Sequence, residues 1–272
     1  MILLYSNSMN LVLAFKTLEL KVADYMTPKP LVVKEDSSFS DAIQVMADKN
    51  MGNLIVEKRH KPIGILTERQ ILEHLSVYKK ITDIKLSDVN LNSFDTVGLD
   101  TKVIDAAQLM INKKNRLLVF EAKHLIGIIT ATDMIRAFRR TTANPELAKV
   151  QSTSLYTVNY DDTILTATKL MHKKRIGSVI VLKNKKPYGI FTERDLLVNV
   201  LSYDVETHHS VGGYCTSPLV TSGIGIKGGD ACRIMSKNKI KRLVLTKNKK
   251  LYAIVTARDI VEAFTKSFSS EV

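Results

Sequence analysis

Four threonines recur at nearly equal intervals, each followed three residues later by an acid or an amide. The pairs are Thr67 with Gln70, Thr130 with Asp133, Thr192 with Asp195 and Thr256 with Asp259, and the threonines stand 63, 62 and 64 residues apart. Two chemistries fit this spacing. A threonine with an acid or amide at the third following position caps a helix N-terminus. A carboxylate at a helix start beside a cleft can also accept hydrogen bonds from both hydroxyls of a ribose, while the threonine hydroxyl reaches the same sugar or a phosphate. Glutamine has one acceptor oxygen and no charge, so Gln70 departs from the other three. The ribose candidates are Asp133, Asp195 and Asp259, with Thr130, Thr192 and Thr256.

Other groups stand close to these pairs in sequence. Arg194 and Arg258 directly precede two of the aspartates and fall in a first helical turn, where free N–H groups already favour anions. Gly177 and Ser178 open an apolar run and leave room for close backbone approach, which suits an adenine or a small ligand. Val179, Ile180, Leu243 and Val244 could wall a base, although half of the residues on a strand are core. Little points to catalysis. His208 and His209 are adjacent and are expected to point apart as a poor metal pair. Cys215 has no context that would lower its pKa. The glycines of SGIGIKGGD lack the Gly-Lys-Ser/Thr of a phosphate loop and read as an irregular strand and turn.

The elements around these residues repeat with the same period. A helical segment (DAIQVMADK, DAAQLMINK, TATKLMHKK, DACRIMSKN) precedes a short β-rich run (NLIVE, RLLVF, SVIVL, RLVLT). A polar turn follows (KRHKP, EAKH, KNKKP, KNKK), then a second apolar run ending in the Thr-x-x-Asp/Gln pair, then another helix. Each unit reads strand, helix, strand, strand, helix, with the central strands joined as a hairpin. A unit of this length holds several elements but too little core to stand alone. The odd copies share Thr-Glu-Arg (Thr67–Arg69, Thr192–Arg194) and the even ones Thr-Ala (Thr130–Ala131, Thr256–Ala257). Alternation suggests modules of two consecutive units. The expected layout is an extension over 1–20, units over 21–80 and 81–140, a linker over 141–148 containing Asn-Pro, and units over 149–205 and 206–268.

This layout resembles tandem cystathionine β-synthase (CBS) domains over roughly residues 21–268, through the closing Gly-apolar-apolar-Thr-x-x-Asp pattern, the opening Met26-Thr27-Pro28 and the repeat itself. The resemblance implies an α/β fold of four β-α-β-β-α repeats in two pseudo-twofold modules. It implies clefts for AMP, ADP, ATP or S-adenosylmethionine, and a regulatory, non-enzymatic role exerted through a partner protein. It also implies a phosphate-binding place just before the central strand, occupied here by Arg116, Lys241 and Arg242; Lys241 beside Arg242 adds a cation that Asn115 beside Arg116 does not. A homodimer or stacked modules are expected.

Composition agrees with a globular protein: 45% hydrophobic and 25% charged residues. No run is apolar enough to span a bilayer, so no membrane role is expected. The first 15 residues lack a basic n-region and a cleavage signature, which argues against a signal peptide, and Met9 is an alternative start. Two cysteines make no disulfide framework, consistent with a reducing, cytoplasmic setting. The net charge of +13 is uneven, +4 over residues 1–140 and +9 beyond. Lysine-rich turns (Lys183, Lys185, Lys186, Lys247, Lys249, Lys250) carry much of the excess and read first as solvated tips. A scaffold with vestigial clefts and a nucleic-acid-associated regulator are the alternative readings. Aromatics, at 6%, give no visible base-stacking platform.

Overall fold

The computed structural model describes residues 19–82, 84–113 and 116–269. Most of the expected N-terminal extension, and Asn115, lie outside the described residues. A short helix, α1 (Val22–Tyr25), leads into β1 (Thr27–Pro28). The first repeat is β2 (Val32–Lys34), α2 (Phe39–Asp48), β3 (Asn53–Lys58), β4 (Lys61–Thr67) and α3 (Glu68–Tyr78). The second is β5 (Phe94–Gly98), α4 (Val103–Lys113), β6 (Arg116–Glu121), β7 (His124–Ile129) and α5 (Ala131–Phe138). The third is β8 (Thr157–Asn159), α6 (Ile164–Lys174), β9 (Ser178–Lys183), β10 (Lys186–Thr192) and α7 (Glu193–Asp195), which continues as a π-helical turn over Leu196–Val200. The fourth is β11 (Thr221–Gly223), α8 (Gly228–Asn238), β12 (Arg242–Lys247), β13 (Lys250–Thr256) and α9 (Ala257–Ser269). The strand-helix-strand-strand-helix order expected from the sequence holds in all four.

Each repeat builds the same small sheet. The opening strand pairs in parallel with the first hairpin strand, which pairs antiparallel with the second. The hairpins close through two residues at positive φ: Arg59 and His60, Ala122 and Lys123, Asn184 and Lys185, Asn248 and Lys249. Two successive positive φ values define the turn whose twist matches the strands. Every hairpin then carries a bulge, which leaves one extra residue on its second strand: Ile63, Ile126, Tyr188 or Tyr252.

The glycine after the bulge has a steric cause. A Cβ on Gly64 would lie 2.6 Å from Leu91 Cβ, one on Gly127 2.5 Å from Met26 Sδ, and one on Gly189 2.6 Å from the Thr216 carbonyl oxygen. Those neighbours come from the opening segment of another repeat, laid against the closing strand. Thr27 pairs with Ile128, Asn92 with Ile65, Thr216 with Ile190 and Ser152 with Ile254. The first and second repeats thus exchange opening segments, as do the third and fourth.

The chain forms two compact units. One comprises Leu31–Ser93 and Leu155–Val220; the other comprises Phe94–Ser154, Thr221–Val272 and the described part of Met1–Pro30. The sequence suggested that consecutive repeats pair. Each compact unit instead joins alternate repeats, the first with the third and the second with the fourth, because their helices bury one another's apolar faces. In the odd unit Leu72 and Leu75 of α3 enter the core built by Ile164, Met171, Val179 and Phe191. Reciprocally, Leu197 enters the core of Phe39, Met46, Leu54 and Leu66. Adjacent residues divide between the cores: Leu196 and Val200 serve the third repeat while Leu197 serves the first, as Ile71 serves the first while Leu72 and Leu75 serve the third. In the even unit Phe138 stacks on Phe264, with ring centroids 4.6 Å apart and planes 5° apart.

Candidate functional site

The four closing turns are helix caps. Asp133, Asp195 and Asp259 each accept, on Oδ2, both the backbone N–H and the hydroxyl of their threonine, at 2.6–2.8 Å. Gln70 Oε1 does the same for Thr67. The residue before the central strand completes the cap: the Lys241 carbonyl accepts from Ala257 N–H, and the Gly177 carbonyl accepts from Glu193 N–H. Across the hairpin Arg242 is directly opposite Thr256, and Ser178 is opposite Thr192. Arg116 sits at the start of β6, paired with Phe94. Strand pairing therefore brings Arg242, Thr256 and Asp259 to one corner of the fourth repeat, and Gly177, Ser178, Thr192 and Asp195 to the same corner of the third.

What distinguishes the corners is the second carboxylate oxygen. Asp195 Oδ1 accepts from the Thr216 hydroxyl at 2.6 Å and from Asn199 Nδ2 at 3.2 Å. Asp133 Oδ1 accepts from Arg136 Nη2 at 2.7 Å and from the Thr27 hydroxyl at 3.5 Å. In the first repeat Asn92 Nδ2 donates to Thr67 Oγ1 at 3.2 Å. Asp259 Oδ1 takes no hydrogen bond among the described residues, and the corresponding opening residue, Ser152, does not reach it. Burial pushes the Asp259 carboxyl above its ordinary pKa, against the lowering effect of the Thr256 hydrogen bonds.

Thr27, Asn92 and Thr216 are members of this arrangement that the closing motif alone does not announce. The only sequence signal was the opening Met26-Thr27-Pro28. Their reach across a repeat boundary depends on the exchange of segments, which no local pattern encodes.

Two cations expected near a phosphate are committed elsewhere. Arg194 Nε lies 2.8 Å from Glu68 and its Nη1 donates to Asn50 Oδ1, both in the first repeat. Arg258 Nη2 donates to the Met110 and Ile111 carbonyls at 2.9 and 3.2 Å, in the last turns of α4. Both arginines join alternate repeats. Val179, Ile180, Leu243 and Val244 are all buried core, so none walls a cleft. The His208 and His209 rings stack, with centroids 4.7 Å apart, rather than pointing apart. No group of three potential metal ligands occurs among the described residues. Burial, with the charge of Asp195 adding to it, raises Cys215 to a pKa of about 11, which keeps the thiol protonated. Among the described residues no helix is long and apolar enough to cross a membrane.

Comparison with known proteins agrees with this architecture. The chain is 25% identical over 264 residues to the uncharacterized protein MJ1404 of Methanocaldococcus jannaschii, covering 89% of this chain and 61% of that protein. It is 25% identical over 204 residues to a 33.4 kDa protein of the ribosomal RNA operon of Thermofilum pendens, covering 68% of this chain and 66% of that one. The chain thus spans less than two thirds of the length of either relative. Among solved structures, that of M. jannaschii MJ1225 matches 90% of this chain and 100% of its own with a TM-score of 0.74 at 16% identity. A conserved protein of Pyrococcus horikoshii matches 89% and 99%, with a TM-score of 0.63 at 18% identity. These two share the fold. The family model described as "CBS domain" matches residues 22–77, 86–140, 147–202 and 211–266. With four such matches covering most of its length, the chain belongs to the CBS-domain family.

Proposed function

We propose that the protein is a regulatory sensor of an adenosine ligand, AMP, ADP, ATP or S-adenosylmethionine, which passes ligand occupancy to a partner protein rather than catalysing a reaction. The observation that carries this reading is the half-used carboxylate of Asp259. Its Oδ2 is fixed by Thr256, and its Oδ1 is left to accept from a ribose hydroxyl. Partial burial strengthens such a bond, because water competes less for the acceptor. Arg242, opposite Thr256, and Lys241 before it provide positive charge at the same corner. Membership of the CBS family supports the ligand class. So does the fold shared with MJ1225, itself proposed as an archaeal homologue of g-AMPK.

The fourth repeat is the primary site in this reading. In the third, Thr216 already places a hydroxyl on Asp195, as a ribose would. In the second, Arg136 neutralises Asp133. These occupied corners also favour a second reading, a scaffold whose clefts are vestigial. Calorimetry with adenosine, AMP, ATP and S-adenosylmethionine separates the two. Under the sensor reading Asp259→Ala weakens binding by roughly 10- to 100-fold, the scale of a charge-assisted hydrogen bond, while Gln70→Ala changes it little. Absence of binding by the parent to all four compounds would establish the scaffold.

A further inference from the structure

We propose that the hairpin tip of the fourth repeat, Lys247 to Tyr252, is a contact site for single-stranded nucleic acid, separate from the ligand corner at the opposite end of the same strands. The spans forming the even unit hold 23 basic and 12 acidic residues, a net +11; those forming the odd unit hold 17 and 15, a net +2. Nearly all of the chain's charge excess therefore belongs to the even unit. Within it the hairpin tip of the fourth repeat carries the cluster Lys-Asn-Lys-Lys-Leu-Tyr.

The equivalent tip of the first repeat has carboxylates beside its cations. There Lys58 lies 2.8 Å from Glu35 in the turn after the opening strand, and His60 lies 3.8 Å from Glu57. In the fourth repeat the turn after the opening strand carries Ile224 and Gly225 where the first carries Glu35 and Asp36, as the strand pairings show. Among the described residues, Lys247, Lys249 and Lys250 form no ion pair. All three are exposed. Three uncompensated ammonium groups on one narrow tip suit successive phosphates of a strand.

The second observation is aromatic. The bulge makes Tyr252 the extra residue of its strand, and bulges re-aim side chains. Tyr252 remains 37% exposed. Lys247 Nζ lies 5.6 Å from the centre of the Tyr252 ring. A base stacking on that ring while lysines hold its phosphates is the usual composition of a single-strand site. Duplex would hide its base faces from the ring. The third repeat carries a related tip, Lys-Asn-Lys-Lys-Pro-Tyr, but Asp161 and Asp162 follow its opening strand. Its Tyr188 ring packs edge-on to Tyr160. It is therefore the weaker copy. The first two repeats have isoleucine at the bulge, which cannot stack a base.

The test is fluorescence anisotropy of the full chain with a labelled oligonucleotide of about 12 residues, single- and double-stranded, at about 50 and 200 mM salt. Replacing Lys247, Lys249 and Lys250 by glutamine should weaken single-strand binding more than 10-fold. It should also flatten the slope of log affinity against log salt by about 2, at about 0.7 per phosphate contact. Tyr252→Leu should weaken binding about 5-fold or more. Replacing Lys58, Arg59 and Lys61 by glutamine, with an unchanged melting temperature in every variant, should leave affinity within about 2-fold, because the carboxylates of Glu35, Asp36 and Glu57 stand beside that tip and it lacks a tyrosine at the bulge. The proposal is overturned if the parent binds no oligonucleotide at the lower salt or prefers duplex. It is equally overturned if both lysine variants lose affinity alike, which is diffuse charge, or if vesicles of acidic lipid capture the chain and excess oligonucleotide does not displace it.

Discussion

Arg69 Nε lies 2.8 Å from Glu193 Oε1, and Arg194 Nε lies 2.8 Å from Glu68 Oε1, so the two Thr-Glu-Arg motifs of the odd repeats clasp one another. Arg69 also donates to the Ile176 carbonyl at 3.2 Å. The glutamate side chains are only 10% and 12% exposed. Removing an arginine strands a nearly buried charge, so Arg69→Ala or Arg194→Ala should each cost about 2 kcal/mol in denaturant unfolding. The reversed pair, Glu68→Arg with Arg194→Glu, should recover much of that loss. Single losses below about 0.5 kcal/mol would reduce the clasp to surface pairs of little consequence.

Glycine substitutions should rank by what their new methyl meets. At Gly189 it meets the Thr216 carbonyl oxygen at 2.6 Å and Cys215 Sγ at 2.9 Å; at Gly127 it meets the Met26 thioether first, at 2.5 Å, with the Thr27 carbonyl farther off at 3.1 Å. A flexible methionine yields more easily than backbone. Gly189→Ala should cost about 2–3 kcal/mol and Gly127→Ala less, within the usual range for overpacking. Thermal melts of the two variants would show the order, and the reverse order would mean that the opening segments do not lie where the structure puts them.

His74 should make stability fall with acid. Its Nε2 accepts from Thr82 N–H at 3.3 Å and Thr82 Oγ1 at 2.8 Å, with the ring edge-on to Phe39. Burial lowers its pKa below 6.5. The unfolded chain then binds a proton that the folded chain refuses. The neutral ring contributes its full stability above the unfolded pKa, and that contribution is lost as pH falls through it toward the folded value. His74→Gln keeps an acceptor and removes the titration, so its melting temperature should depend less on pH between about 6.5 and 5. Parallel pH profiles for parent and variant would count against this origin.

Asp259 has the opposite sign. Its folded pKa is raised by burial, so ionisation costs stability at neutral pH, and the cost disappears as pH falls through the raised value. Asp259→Asn should therefore melt at or above the parent near neutrality. In the proposed sensor, ligand binding needs the ionised acceptor. Affinity should be flat above the raised pKa and decline below it, starting at higher pH than for an exposed aspartate. In Asp259→Asn affinity should be low and the acid decline absent. An unchanged decline in that variant would assign it to another group.

Local chemistry was readable in the chain, whereas long-range partnership was not. The caps at Thr67, Thr130, Thr192 and Thr256, and the hairpin turns, depend on residues within a few positions of one another, and the structure shows them as expected. The hydrogen bond from Thr216 to Asp195 crosses 21 residues and an exchanged strand. The commitment of Arg258 to Met110 crosses 148. Helix position alone made Arg194 and Arg258 look like anion ligands, because the carbonyls and carboxylates that claim them lie in another repeat. The odd–even alternation was visible in sequence as a difference between Thr-Glu-Arg and Thr-Ala. Its meaning, a clasp between the first and third repeats, needed the packing.

The interleaving of repeats has a consequence for synthesis. The odd unit joins Leu31–Ser93 to Leu155–Val220, so the first repeat leaves the ribosome long before its partner exists. Until then Leu72 and Leu75 of α3 lack the core they fill in the third repeat, and Phe39 and Leu66 lack the Leu197 that closes theirs. Contacts between distant segments form late and leave apolar surface open meanwhile. Ribosome-bound chains that stop in the Asn144–Pro145 stretch should thus be readily cleaved by protease within the first repeat, and chains that have released Val220 should resist it.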